Sequence, residues 1–238
     1  MKAKIRSYLL PCLLAVMLVL ALVPALMPSA QAADTKTPVA TTYNEVHYLD
    51  GDTLVKGYRP FYTIDDAWEA ALKGEPIKLT ADWDTGTKGH ERILTVPSGG
   101  SATVYLNGHT IDHDGGFYTD AGAIFRVESN AYLKVDGEDA SGKRGTLYGG
   151  NTAVDYDKGQ GRGGAVRVDA GAKLIMDKVI VEGCSASNNG GGIWAIDGAS
   201  VTLTNVDFVD CITTEGTGGA IYVENASLTV DNCKFMPC

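Results

Sequence analysis

GGAVRVDAGAKLIMDKVIVEGCSASNNGGGIWAIDGASVTLTNVDFVDCITTEGTGGAIYVENASLTVDNCKFMPC, residues 163–238, is the stretch whose reading decides the fold. Within it Gly163-Gly164-Ala165, Gly191-Gly192-Ile193 and Gly218-Gly219-Ala220 recur 28 and then 27 residues apart. Each glycine pair leads into short apolar runs separated by Gly, Asp, Asn and Ser, without a helical pattern. A fixed period built from strands and turns indicates a solenoid, because one such repeat cannot bury its apolar face alone.

Side chains inside the stretch follow the same period. Leu174, Val201 and Leu228 are 27 apart, as are Met176, Leu203 and Val230, and Val181, Phe208 and Phe235. Parallel stacking brings equivalent positions to about 4.8 Å, so each trio predicts an inward apolar row. Val127 and Leu133 have the same spacing as Val168 and Leu174, which carries the register one repeat further back. From Ile77 onward the expected strands fall in groups of three. They are 77–82, 92–96 and 103–111; 123–128, 131–135 and 145–148; 164–168, 172–176 and 179–182; 193–196, 200–204 and 206–209; and 219–223, 227–230 and 233–236. Residues 149–163 form a longer polar, glycine-rich excursion, and such insertions often carry binding on one face of a solenoid.

Ahead of the repeats, residues 44–76 read as an N-terminal cap with a helix at 63–73. Thr63 is the expected N-cap, Asp65 and Asp66 favour the first turn, and Gly74 suits the C′ position. Residues 33–43 are polar and aperiodic, the pattern of a flexible mature N-terminus. Residues 1–32 read as a secretory signal peptide. Lys2, Lys4 and Arg6 precede an apolar run, and Ala30-Gln31-Ala32 supplies a small-residue cleavage site. No transmembrane segment is expected after that cleavage. The chain carries a formal charge of −9, and loss of the leader takes the mature chain to −12. That balance argues against nucleic acid and anionic membranes as partners.

The repeat resembles that of the polymorphic outer membrane proteins, which alternates GGA-[ILV] with F-x-x-N. The first element stands here as Gly164-Ala165-Val166, Gly192-Ile193 and Gly219-Ala220-Ile221. The second stands as Val181-Glu182-Gly183-Cys184, Phe208-Val209-Asp210-Cys211 and Phe235-Met236-Pro237-Cys238, with cysteine in place of asparagine each time. The match covers about 122–238. The segment RPFYTIDDAWEAALKGEPIKLTADW, 59–83, also looks like the leader of bacterial surface proteins with β-helix domains. The resemblance implies an all-β fold, a right-handed parallel β-helix of about five coils over 77–238, secreted or displayed on the cell envelope and often adhesive.

Six sets of residues are candidates for chemistry. Cys184, Cys211 and Cys238 share the 27-residue spacing and should stack. A row of small buried side chains, a disulfide between coils and a soft-metal site are all readings of that stack. Glu128, Asp169, Asp197 and Glu224 each follow the last apolar residue of a strand, a ladder that reads either as solvated turn acids that keep strand ends soluble or as a site for calcium. Asp136, Asp177 and Asp231 form a second acidic set. The first ladder is similar to that of pectate-lyase-type β-helices, in which stacked acids hold calcium and a basic residue removes a proton. Arg126 and Arg167, aligned beside it, are the candidates for that role or for contact with a substrate acid. Trp194 and Tyr222 would stack on sugar rings if they point outward. His109 and His113, with Asp112 and Asp114, make the densest His/Asp cluster, although Asn107-Gly108-His109 also fits a plain turn.

The expected function is therefore a secreted or cell-surface bacterial protein that presents a repetitive face for adhesion or carbohydrate binding. Its partner would be an extracellular glycan or another cell surface. No cofactor is required, and calcium is the cation the ladder would take. The alternative is a calcium-dependent polysaccharide lyase or glycosidase of β-helix type. Because the sequence stops at Cys238 on a ladder position, the chain is further expected to be part of a longer protein.

Overall fold

A computed structural model describes residues 37–86, 93–113, 122–152 and 161–238. Residues 1–36, which include the expected signal peptide, Asp114 and the middle of the 149–163 excursion lie outside the described residues. The fold is mostly β, with one helix among the described residues and several parallel sheets.

Each repeat supplies one strand to each of three sheets. The first sheet takes Ile77–Leu79, Ser101–Tyr105, Tyr132–Asp136, Lys173–Asp177, Ser200–Thr204 and Ser227–Asp231 in parallel order. The second takes Leu94–Val96, Phe125–Val127, Val166–Val168, Ile193–Ile196 and Ile221–Glu224. The third takes Trp83–Asp84, Thr110–Asp112, Gly145–Tyr148, Val179–Glu182, Asp207–Val209 and Lys234–Met236. A fourth, short sheet joins Asn151–Thr152, Ser185–Ala186 and Ile212–Thr213.

The apolar rows expected from the spacing are present. Leu133, Leu174, Val201 and Leu228 pair in sequence across the first sheet, as do Val135, Met176, Leu203 and Val230. Leu147, Val181, Phe208 and Phe235 do so across the third, with the last two rings stacked at 5.2 Å. Alternation within each strand turns these residues inward, so Leu133, Leu174, Met176, Val181, Leu203 and Phe208 are fully buried. Each such burial contributes about 1.5–3 kcal/mol, and the rows join one continuous core. Leu174→Ala is therefore expected to lower unfolding free energy by about 2–5 kcal/mol in urea titration. Leu49→Ala, at an exposed position, should change it by no more than about 0.5 kcal/mol.

The cap helix spans Ile64–Leu72. Thr63 is its N-cap and its hydroxyl accepts from the Asp66 amide at 3.1 Å, while Gly74 takes the left-handed φ of +86° after the last turn. Ala67, Trp68, Ala70 and Ala71 face the sheets, and the Trp68 ring meets Phe125 at 5.8 Å.

Four expectations need correction. Residues 33–43 are not flexible throughout, because Ala40–Thr42 pairs antiparallel with both Pro60–Phe61 and Ile77–Leu79. Ala40 is buried there, and the Trp83 indole donates to the Val39 carbonyl at 3.1 Å. The segment 103–111 is two strands, not one, since Asn107 and Gly108 adopt φ of 52° and 75° and turn the chain from the first sheet to the third. Residues 44–76 also contain an antiparallel hairpin, Val46–Asp50 with Thr53–Gly57, turning at Gly51.

The fourth correction concerns register. Val166 pairs with Ile193 and Ile193 with Ile221, so the left-handed glycines Gly163, Gly190 and Gly218 are the equivalent set. The glycine period is thus 27 and then 28, and Gly192 occupies the position of Ala165 and Ala220. Gly190-Gly191-Gly192 had allowed two alignments, and only this one keeps Ile193 and Ala195 in the core.

Candidate functional site

The corrected register assembles one outward row on the second sheet. Thr95, Arg126, Arg167, Trp194 and Tyr222 are successive partners, one from each repeat. Their strand neighbours point into the core, so these five point away from it. Arg162, preceding the second-sheet strand and bridged to Asn189, adds a further guanidinium to this face.

The row is tied together by charge and ring contacts. Asp169 accepts from Arg167 Nε at 2.8 Å and from Arg126 Nε at 3.3 Å, so one carboxylate holds two guanidiniums. Glu128 lies 4.0 Å from Arg126 and accepts from the Ser98 amide at 3.1 Å. The guanidiniums of Arg162 and Arg167 lie over the Trp194 ring, their central carbons 5.2 and 5.1 Å from its centroid. That coverage leaves Trp194 only 2% exposed. The Tyr222 hydroxyl donates to Glu224 at 3.1 Å, and the carboxylate beside it raises the phenol above its usual value. Arg126, Arg162 and Arg167, with Ile93, Ala123 and Thr152, line a small pocket of about 50 Å³ beside the row.

This geometry changes the acidic ladder. Ile196, not Asp197, is the partner of Glu224, so Asp197 falls one residue off the row. Asp197 instead adopts a left-handed φ of 47° in the turn before Gly198. Glu128 and Asp169 are matched by arginines, and Glu224 is engaged by Tyr222. The four carboxylates are not gathered at one point, and among the described residues no group of three or more His, Cys, Asp or Glu is placed to hold a metal ion. In the second acidic set, Asp136 pairs with Asp177, while Thr204 separates Asp177 from Asp231. Burial, followed by the neighbouring Asp177 charge, pushes the Asp136 carboxyl up.

Trp194 was expected as a sugar platform if outward. It is outward, yet two guanidiniums cover it, so Tyr222 is the more accessible ring of the pair. The cysteines stack as free thiols. Cys184 Sγ lies 3.4 Å from the Glu182 carbonyl, Cys211 Sγ 3.5 Å from that of Val181, and Cys238 Sγ 3.9 Å from that of Phe208. The hydrogen bond with Cys211, and then burial, push the Cys184 thiol up, which suits an inert structural side chain. Cys233 stands apart, its sulfur accepting from the Val206 amide at 3.4 Å. The two histidines are separately engaged. His109 Nδ1 is 3.2 Å from Asp82, whose carboxyl is lowered chiefly by the Thr110 amide, while buried His113 meets the Thr85 hydroxyl at 2.9 Å.

Sequence reading passed over Arg162. Its signal was its place in the 149–163 excursion, immediately ahead of a glycine pair. No family model, curated protein or solved structure matches the chain. Among the described residues no helix is long and apolar enough to cross a membrane.

Proposed function

We propose that the stacked parallel sheets wind as a right-handed β-helix and that the protein is a secreted or surface-displayed bacterial binding module whose ligand is extracellular carbohydrate. The observation that carries this reading is the row Arg126–Arg167–Trp194–Tyr222, one side chain per repeat on one outer face. Guanidiniums donate several hydrogen bonds from a rigid plane, the buried Trp194 ring backs two of them, and Tyr222 offers a flat apolar face. Together they suit a chain of hydroxyl-rich rings lying along the repeat. The spacing is periodic, so a polymeric ligand would meet similar groups at intervals of about 4.8 Å. The resemblance to outer-membrane repeat proteins and the leader-like N-terminus support an extracellular site of action.

A glycan array probed with the mature chain tests this. Retention of a defined set of glycans is expected, and Tyr222→Ala should weaken it roughly tenfold, as loss of one stacking contact does. Retention of no glycan, or retention unchanged in both Tyr222→Ala and Arg167→Ala, would overturn the reading. A parallel assay for unsaturated oligosaccharide release, with and without calcium, would reveal lyase activity.

A further inference from the structure

We infer that the pocket between Arg126, Arg162 and Arg167 is a subsite for the carboxylate or sulfate group of an acidic glycan. The inference rests on the carbohydrate-binding reading above and specifies which sugars it applies to.

The first support is charge. The chain is acidic, at −9, yet three guanidiniums converge on one small pocket. Two carboxylates accompany them, and both are already engaged: Asp169 with Arg126 and Arg167, and Glu128 with Arg126 and Ser98. The Arg162 Nε is buried and has no hydrogen-bond partner. A buried donor left unmatched is costly, and a ligand oxygen would relieve that cost.

Preorganisation is the second. Arg162 and Arg167 both lie over the Trp194 ring, which holds their planes before any ligand arrives. Arg126 and Arg167 are further fixed by Asp169. Donors held in this way lose little freedom on binding, so their hydrogen bonds count almost fully toward affinity.

Size is the third. About 50 Å³ accommodates one carboxylate or sulfate but not a sugar ring. The anionic substituent would enter the pocket while its ring rests outside, and the next sugars would extend along the row toward Tyr222. Arg162 is near enough to Tyr222 to act on the phenol electrostatically, which makes the two residues parts of one surface.

The test uses four probes on the mature chain by titration calorimetry: an oligouronate, its carboxyl-reduced neutral form, a sulfated oligosaccharide of equal length, and inorganic sulfate. The variants are Arg162→Gln and Arg162→Lys, each checked for an unchanged thermal midpoint. An acidic oligosaccharide is expected to bind at least tenfold more tightly than the neutral one, with affinity falling as salt rises. Arg162→Gln should abolish that preference, and Arg162→Lys should restore part of it. The carboxylate and sulfate arms separate the two sources of the anion. Equal binding of neutral and acidic oligosaccharides, unaffected by Arg162→Gln, would overturn the subsite and leave carbohydrate binding intact. Binding of inorganic sulfate that depends on Arg162, with no oligosaccharide bound, would uphold an oxyanion pocket and overturn the carbohydrate reading. No binding of any probe would overturn both.

Discussion

Gly191→Ala is expected to destabilise the fold by upwards of about 3 kcal/mol, enough to abolish a cooperative transition in a marginal domain. A Cβ at Gly191 would lie 2.3 Å from the Gly219 carbonyl oxygen and 2.3 Å from that of Ile212. Both obstacles are backbone, one from the neighbouring repeat, and neither can rotate away as a side chain would. Relief would need the repeats to separate, which would break the interstrand bonds on either side. Gly198→Ala isolates the other cost of losing a glycine. Gly198 has a φ of +80° with nothing within 4 Å of an added Cβ, so only left-handed strain of about 1–2 kcal/mol applies. Urea unfolding of the two variants should therefore differ by about 1 kcal/mol or more. Equal losses would mean that close approach of backbones at Gly191 does not set the repeat spacing.

The same glycines explain what could be read in advance. The inward rows were legible because burial enforces a strict period on Leu174, Val201 and their partners. The turn glycines were legible as a class, but their register was not. Three glycines in succession at 190–192 carry no side chain to mark which faces the neighbouring repeat. A slip of one residue exchanged Asp197 for Ile196 and thereby lengthened the acidic ladder. The same slip hid the relation of Arg167 to Trp194, and with it the mixed arginine–aromatic row. The strand pairing holds the correction, since Ile193 and Ala195 lie beside Val166 and Val168 and all four are fully buried. Arg162 was illegible for a different reason. Its role depends on a ring 32 residues later in the chain, and no local pattern encodes that meeting. The hairpin at Val46–Asp50 and Thr53–Gly57 was readable from Gly51-Asp52 between two strand-favouring runs, a signal overshadowed by the helix that follows.

Removal of Arg144 should produce the second large effect, and one that depends on pH. Asp207 is buried at 5% exposure and bonds the Arg144 guanidinium, which comes from 63 residues earlier and also donates to the Asn205 carbonyl at 3.1 Å. The Arg144 hydrogen bond holds the Asp207 carboxyl below its usual value, opposed by burial and aided by the charges of Arg144 and Lys234. A depressed carboxyl contributes stability above its unfolded pKa of about 3.9 and loses it as pH falls through the folded value. Arg144→Ala leaves the carboxylate buried beside Lys234 alone, at an expected cost of about 3–5 kcal/mol at neutral pH. Burial then raises the Asp207 pKa, so protonation in mildly acid solution relieves the variant before it affects the wild type. The stability gap should thus narrow as pH falls from neutrality toward the acid range. Arg144→Met with Asp207→Leu should recover most of the loss, because neither charge then remains to be desolvated. A gap that stayed constant with pH would assign the loss to the packing of the arginine stem and its bond to Asn205, not to the ion pair. The pair fastens strands of the third sheet two repeats apart, Gly145–Tyr148 and Asp207–Val209, at the turn where each follows the first sheet. Its loss should therefore also reduce hydrogen-exchange protection in the intervening strand, Val179–Glu182, more than in the second sheet.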